Sequence, residues 1–261
     1  MNTLFPLIAK AWKAFVAQKK LLPLIVLIDL LFVYGLTRLH YEVFRRATEN
    51  LSRLTLMISE AATDMAALQS QEFLTLYHEV LRSLGIFFGI AFLLWLVAKG
   101  LAWFLAQRTV NKKIDALRFA QGFALLTPLW FILFLGLIAL ALAILHYAFF
   151  GVFPFIGPQT ANVLAGILFW LFAYVVFISY SLLPRPAFTQ ALVLAVKQWK
   201  LLLPVHIIGS LIVFVGVMTP TYLFLTQPYV ALAIAIFIAL PAMAWARVLW
   251  IIAVQRVMRH A

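Results

Sequence analysis

The sequence predicts an all-α fold: a polytopic membrane helix bundle of six transmembrane helices, arranged as three repeats of one interfacial helix and two spans. Three observations carry this. Of 261 residues, 66% are hydrophobic and 11% charged, and the mean hydropathy of +1.07 lies outside the usual range of soluble domains. Long apolar runs recur along the whole length, each near the roughly 20 residues a helix needs to cross about 30 Å of hydrocarbon. Lysine and arginine gather at alternate ends of those runs. A transmembrane barrel would need segments of about 10 residues alternating apolar and polar, whereas these runs are continuous. There is no cysteine, so disulfides, thiolate metal sites and a cysteine nucleophile are excluded together.

Residues 3 to 20 place Leu4, Ile8, Ala11, Trp12 and Phe15 on one helical face and Lys10 and Lys13 on the other, the pattern of a helix lying in the membrane interface. Lys19 and Lys20 extend its basic surface towards anionic headgroups. No small-residue cleavage site precedes Pro23, so the first span, about Leu21 to Thr37, is expected to act as an uncleaved anchor. Pro23 fits its first turn, where the N–H that proline lacks would have no intrahelical partner.

Residues 38 to 83 hold six of the eight acidic residues and form the only sizeable hydrophilic stretch. Within it Ala47, Leu51, Leu54, Ile58, Ala61, Met65 and Leu68 step by four and three, a coiled-coil period. A second face begins with Phe73, Leu76, Tyr77 and Val80. The pattern reads as an extracytoplasmic helical hairpin that turns between residues 59 and 72. Its heptads equally suit an intermolecular coil, and so a protein partner or homo-oligomer.

Span two runs from about Leu84 to Ala106. Arg108, Lys112, Lys113 and Arg118 follow, with Val110, Ile114 and Leu117 as a weaker amphipathic face before Pro128. Spans three and four cover about Phe123 to Phe149 and Ala161 to Leu183. In the third interfacial segment Phe188, Leu192, Ala195 and Trp199 oppose Gln190, Lys197 and Lys200. Spans five and six, about Leu201 to Leu225 and Tyr229 to Val254, meet at Gln227-Pro228. Pro220 and Pro241 are expected to bend them. Tryptophans such as Trp95, Trp103, Trp130, Trp170, Trp245 and Trp250 fall near span ends, as interfacial anchors do.

Thirteen lysines and arginines then lie on the side of both termini, and five on the other, all within residues 38 to 83. Those five are outweighed by six acids. By the positive-inside rule both termini are cytoplasmic and the chain crosses its membrane several times. The lysines at 10, 13, 19, 20, 112, 113, 197 and 200 are the expected contacts to anionic lipid headgroups. Nucleic acid is not an expected partner, because the positive charge reads as a topology signal.

The repeat rests on Lys19-Lys20-Leu21-Leu22-Pro23 against Lys200-Leu201-Leu202-Leu203-Pro204, with Leu125-Leu126-Thr127-Pro128 between. Lys99 stands eight residues before Gln107-Arg108, as Arg247 stands eight before Gln255-Arg256. The single membrane domain 1–261 thus divides into units 1–106, 107–185 and 186–261, parallel copies about an axis along the membrane normal. With its AWKAFVAQKKLLP and AVKQWKLLLP junctions, the chain resembles prokaryotic six-span membrane proteins of uncharacterised function in which amphipathic segments precede pairs of spans. A related-looking membrane domain occurs fused to glycerophosphodiester phosphodiesterases. The acidic hairpin departs from that pattern, and no catalytic phosphodiesterase residue is present to carry over.

Asp29 is the one acid inside a span. At 1.5 Å per residue it lies about 12 Å deep, and Lys99 about 13 Å. Ionisable groups at such depth are costly and usually face a partner in the bundle interior. Asp29 is therefore expected to face Lys99 or Arg247, as a packing pair or as a coupling site, although both cations have stems long enough to snorkel. His146 and His206 fall towards opposite membrane faces, and neither they nor His40, His78 and His260 show metal-ligand spacing. No GxSxG, Walker loop or dinucleotide fingerprint occurs. The expectation is no enzyme and no cofactor: a scaffold or interaction protein contacting anionic lipid and partner proteins, or else a small transporter of a lipid-like or apolar solute.

Overall fold

The computed structural model describes residues 4–17, 20–61, 70–149, 157–185, 187–224 and 226–260. All regular structure among them is helical. Helices α1 (Leu4–Ala17), α2 (Leu21–Leu39) and α3 (Arg45–Ala61) open the chain, with a π-helical turn at His40–Phe44 between the last two. Helix α4 (Gln71–Leu94) passes through a π turn, Trp95–Lys99, into α5 (Gly100–Val110). Then come α6 (Ala116–Phe149), α7 (Pro158–Leu182), α8 (Phe188–Lys197) and α9 (Trp199–Phe224). The last span is α10 (Pro228–Ile234), a π turn at Ala235–Ala239, and α11 (Leu240–His260).

Six helices among the described residues are long and apolar enough to cross a membrane, over residues 21–59, 71–110, 116–147, 159–182, 199–216 and 229–259. Their outward surfaces carry large apolar side chains such as Leu31, Ile132, Leu142, Ile167, Leu211 and Phe237. So much exposed apolar area marks a surface that meets lipid rather than water. This is a multi-pass membrane protein.

Two compact units make up the chain, Ile28–Lys99 and Met1–Leu27 with Gly100–Ala261. In the first, α3 packs along α4. Ser70 caps α4 by accepting from the Phe73 N–H at 3.2 Å, a bond that satisfies one of the four donors a helix start leaves open. Buried Ala47 and Leu54 of α3 and Val80 of α4 form the seam, closed at one end by the Phe44 and Phe87 rings with centroids 5.0 Å apart. Asn50 Nδ2 donates to Glu79 Oε2 across it at 3.1 Å.

This seam differs from the expected heptad. Leu51 and Ile58 are 51% and 54% exposed, while Asn50 and Met57 turn partly inward. The apolar stripe of α3 is wider than one helix contact, and Ala47 and Leu54, where the backbones approach, take the side with Asn50 and Met57 along. The turn of the hairpin, with Asp64, Met65 and Leu68, lies outside the described residues.

In the second unit α11 packs against α5, α7, α9 and α1. Seven consecutive residues, Val248 to Val254, are buried, as suits a helix covered on every side. Aromatic rings join the spans. Trp103 of α5 lies against Phe177 and Tyr180 of α7, and Phe123 of α6 stacks on Tyr180. Hydroxyls serve the same end: Trp130 Nε1 donates to Ser179 Oγ at 2.9 Å, and Trp170 Nε1 to Ser210 Oγ at 3.0 Å. Trp103, Trp130 and Trp250 are buried, so these three are core residues rather than interfacial anchors. Their ring areas find partners on neighbouring spans that a linear reading does not place together.

The flanking amphipathic helices are three-sided. In α1, Leu7, Ala11 and Phe15 are buried, Lys10 and Lys13 are exposed, and Phe5 and Trp12 form a separate exposed apolar side. The expected single face thus splits, because Trp12 lies about 100° from Ala11 around the helix axis. In α8, Ala191, Leu194 and Ala195 are buried, and Leu192, Val196 and Lys197 are exposed; Trp199 and Lys200, exposed as well, already belong to α9.

The middle segment departs from expectation. Residues 111–115 are non-helical, Leu117 already belongs to α6, and Pro128 lies well inside α6. Asp115 starts α6 early, accepting from the Leu117 and Arg118 N–H groups at 3.0 and 3.2 Å. The prolines at 23, 128 and 204 therefore stand at different depths in their helices. Pro241 follows the π turn Ala235–Ala239, where Leu240 N–H bonds Ala235 O. That i to i−5 bond lies where proline interrupts the regular ladder.

Candidate intramembrane ion pair

Asp29 is fully buried, and its Oδ1 lies 2.8 Å from Lys99 Nζ. Both side chains belong to the Ile28–Lys99 unit. They come together because α2 and the returning helix run side by side there: a Cβ added at Gly35 would meet Leu94 at 3.3 Å. One turn beyond Asp29, Phe32 sets its ring 4.1 Å beneath Lys99 Nζ, and Trp95, one turn before Lys99, meets Phe32 edge-on at 5.8 Å. The ammonium thus has a carboxylate on one side and an aromatic face on another. Both interactions strengthen when water is excluded.

The π turn Trp95–Lys99 ends on this lysine. Inserting one residue into a helix rotates everything after it by about 100°, so the turn changes the register between Lys99 and the preceding face. Lys99 is thus a partner of Asp29 within its own unit, and Arg247, also buried, belongs to the other unit. Lys10, Lys13, Lys20, Lys112, Lys113, Lys197 and Lys200 are all exposed; Lys19 lies outside the described residues.

A second polar group inside the spans has surroundings the sequence did not reveal. His206 of α9 is buried among the rings of Trp170, Tyr174, Phe177 and Trp250, at centroid distances of 4.6 to 6.0 Å. Its Nε2 is 3.1 Å from the Trp170 carbonyl, whereas Nδ1 has no hydrogen-bond partner among the described residues. The neutral tautomer with the proton on Nε2 fits, because it donates the one available bond and leaves only a lone pair bare. A lone histidine in an apolar run was the only signal, and its ring partners come from two other spans.

The chain matches no protein-family model, no curated protein and no solved structure. Among the described residues no group of three histidines or carboxylates is placed to hold a metal ion.

Proposed function

We propose that the chain is a non-enzymatic scaffold or interaction protein of a prokaryotic cytoplasmic membrane, with both termini in the cytoplasm. In this reading it belongs with the six-span proteins that share its junctions. The three basic segments and tail contact anionic lipid, and residues 38–83 stand outside as a hairpin that engages a protein partner or a second copy. The observation that carries the reading is the closed state of the Asp29–Lys99 pair. A transport site needs ionisable groups that meet a solute or an aqueous path, while here the carboxylate is wholly enclosed and the ammonium is covered by Phe32. Such a pair fixes how two spans pack.

The three-sided helices support the lipid-binding half. Each carries in succession a buried alanine, an exposed apolar residue and an exposed lysine, Ala11-Trp12-Lys13 in α1 and Ala195-Val196-Lys197 in α8. One side docks on the bundle, one meets acyl chains, and one meets headgroups.

A transporter is the second reading, favoured by the π turn that ends on Lys99, since such turns are frequent at functional sites. Deleting residues 45–75 is expected to abolish cross-linking of the chain to its partner or second copy while the unfolding midpoint of the six-span remainder stays in place. Movement of a fluorescent phospholipid across proteoliposomes, lost in a folded Asp29→Asn variant, would instead establish the transporter.

A further inference from the structure

The C-terminal ends of spans two, four and six converge on a single cavity of about 410 Å³, within the range of about 300–1,000 Å³ common for small-ligand sites. Its polar lining is Gln107 and Asn111 from the first of these ends, Ser181 and Arg185 from the second, and Gln255 and Arg259 from the third. Among the described residues no acidic one lines it. Residues of the two Gln-Arg pairs that mark the chain, Gln107-Arg108 and Gln255-Arg256, thus meet at one place. Parallel repeats about an axis along the membrane normal would bring equivalent ends together in this way.

Two arginines and several amide side chains lining one cavity suit an anion with several oxygens, above all a phosphate, whose geometry matches the planar arginine fork. Helix C-termini would oppose this, because their free carbonyls carry partial negative charge. Here several are already occupied. Gln107 Nε2 donates to Ser181 O at 2.9 Å and to Tyr180 O at 3.4 Å, Arg185 N–H to Leu182 O at 3.1 Å, and Asn111 N–H to Gln107 O at 2.8 Å. Buried Gln107 therefore both ties α5 to α7 and silences acceptors that would repel an anion. Asp115, the nearest acid in sequence, is turned to its own helix start and to Arg118, 3.5 Å away.

We infer that this cavity is a phosphate-binding site, with Arg185 and Arg259 as the ligands to its oxygens, and that it accepts the phosphate of a phospholipid headgroup at the membrane surface. The assignment deepens the anionic-lipid reading above and rests on its placement of these span ends at a headgroup layer. An unattached phosphate ion is the other source of the same chemistry.

The test uses the full chain in detergent, with native mass spectrometry for added phosphatidylglycerol and thermal shift for inorganic phosphate. One tightly held phosphatidylglycerol per chain is expected. Arg185→Gln/Arg259→Gln should weaken it about tenfold or more, with its unfolding midpoint unchanged, whereas Lys112→Gln/Lys113→Gln should retain it within about twofold. Retention of lipid in excess phosphate identifies the lipid as ligand; an arginine-dependent thermal shift with phosphate and no retained lipid keeps the site but makes free phosphate its ligand and removes the lipid reading. Equal binding by wild type and the arginine variant, or no binding of either probe by wild type, overturns the site. Loss only in the lysine variant overturns it too, while leaving the surface-lipid reading intact.

Discussion

Asp29→Ala is expected to lower stability by about 3–5 kcal/mol, because removing one member of a buried pair takes its counter-charge from the other. Lys99 would then keep its ammonium above Phe32 with the carboxylate gone, about 13 Å below the interface. Lys99→Met should also be harmful, since it takes an ammonium away from an enclosed carboxylate. The double variant Asp29→Leu/Lys99→Met should recover most of the loss, because apolar residues of similar volume can replace a buried pair at little cost. Titration of the purified protein in micelles from mild detergent into SDS reads all three midpoints. If the two single variants are near wild type, the pair does not organise this helix contact, and the packing role assigned to it fails.

Trp250→Ala is expected to cost about 3–5 kcal/mol through the cavity it opens. Trp250 is only 2% exposed, and its ring lies within about 6 Å, centroid to centroid, of His206, Tyr174 and Phe177. Gly209 brings α9 close beside it: a Cβ added there would lie only 3.4 Å from Trp250 Nε1. Truncation removes contacts to two spans at once and leaves His206 beside an empty volume. Trp250→Phe should recover part of the loss, since it keeps a ring against Phe177, stacked at 6.0 Å. The same SDS titration checks both, and an alanine variant within about 1 kcal/mol of wild type would mean the cluster collapses to fill the gap.

The spans were legible because membrane burial is written in length and composition, which depend on each segment alone. Asp29 stood out for the same reason, as the single acid within an apolar run. Its pairing with Lys99 was not legible in full: depth along a helix follows from counting, but azimuth depends on packing, and the π turn at Trp95–Lys99 changes the azimuth with no proline to announce it. Leu51 and Ile58 show the same limit, since period identifies a stripe but not which half of a wide stripe the neighbour covers. The Arg185 and Arg259 cavity needed three distant span ends at once. Only the paired Gln107-Arg108 and Gln255-Arg256 hinted that two of them are equivalent.

The claim on which the functional reading most depends is the placement of the two basic termini on one membrane face and the acidic hairpin on the other. The chain has no cysteine, so single cysteines at Ser52, Lys112 and Arg259 can report it without background. A membrane-impermeant maleimide applied to intact cells should label Ser52→Cys alone, and all three after permeabilisation. Labelling of Lys112→Cys or Arg259→Cys in intact cells, with Ser52→Cys protected, would invert the topology and contradict the account.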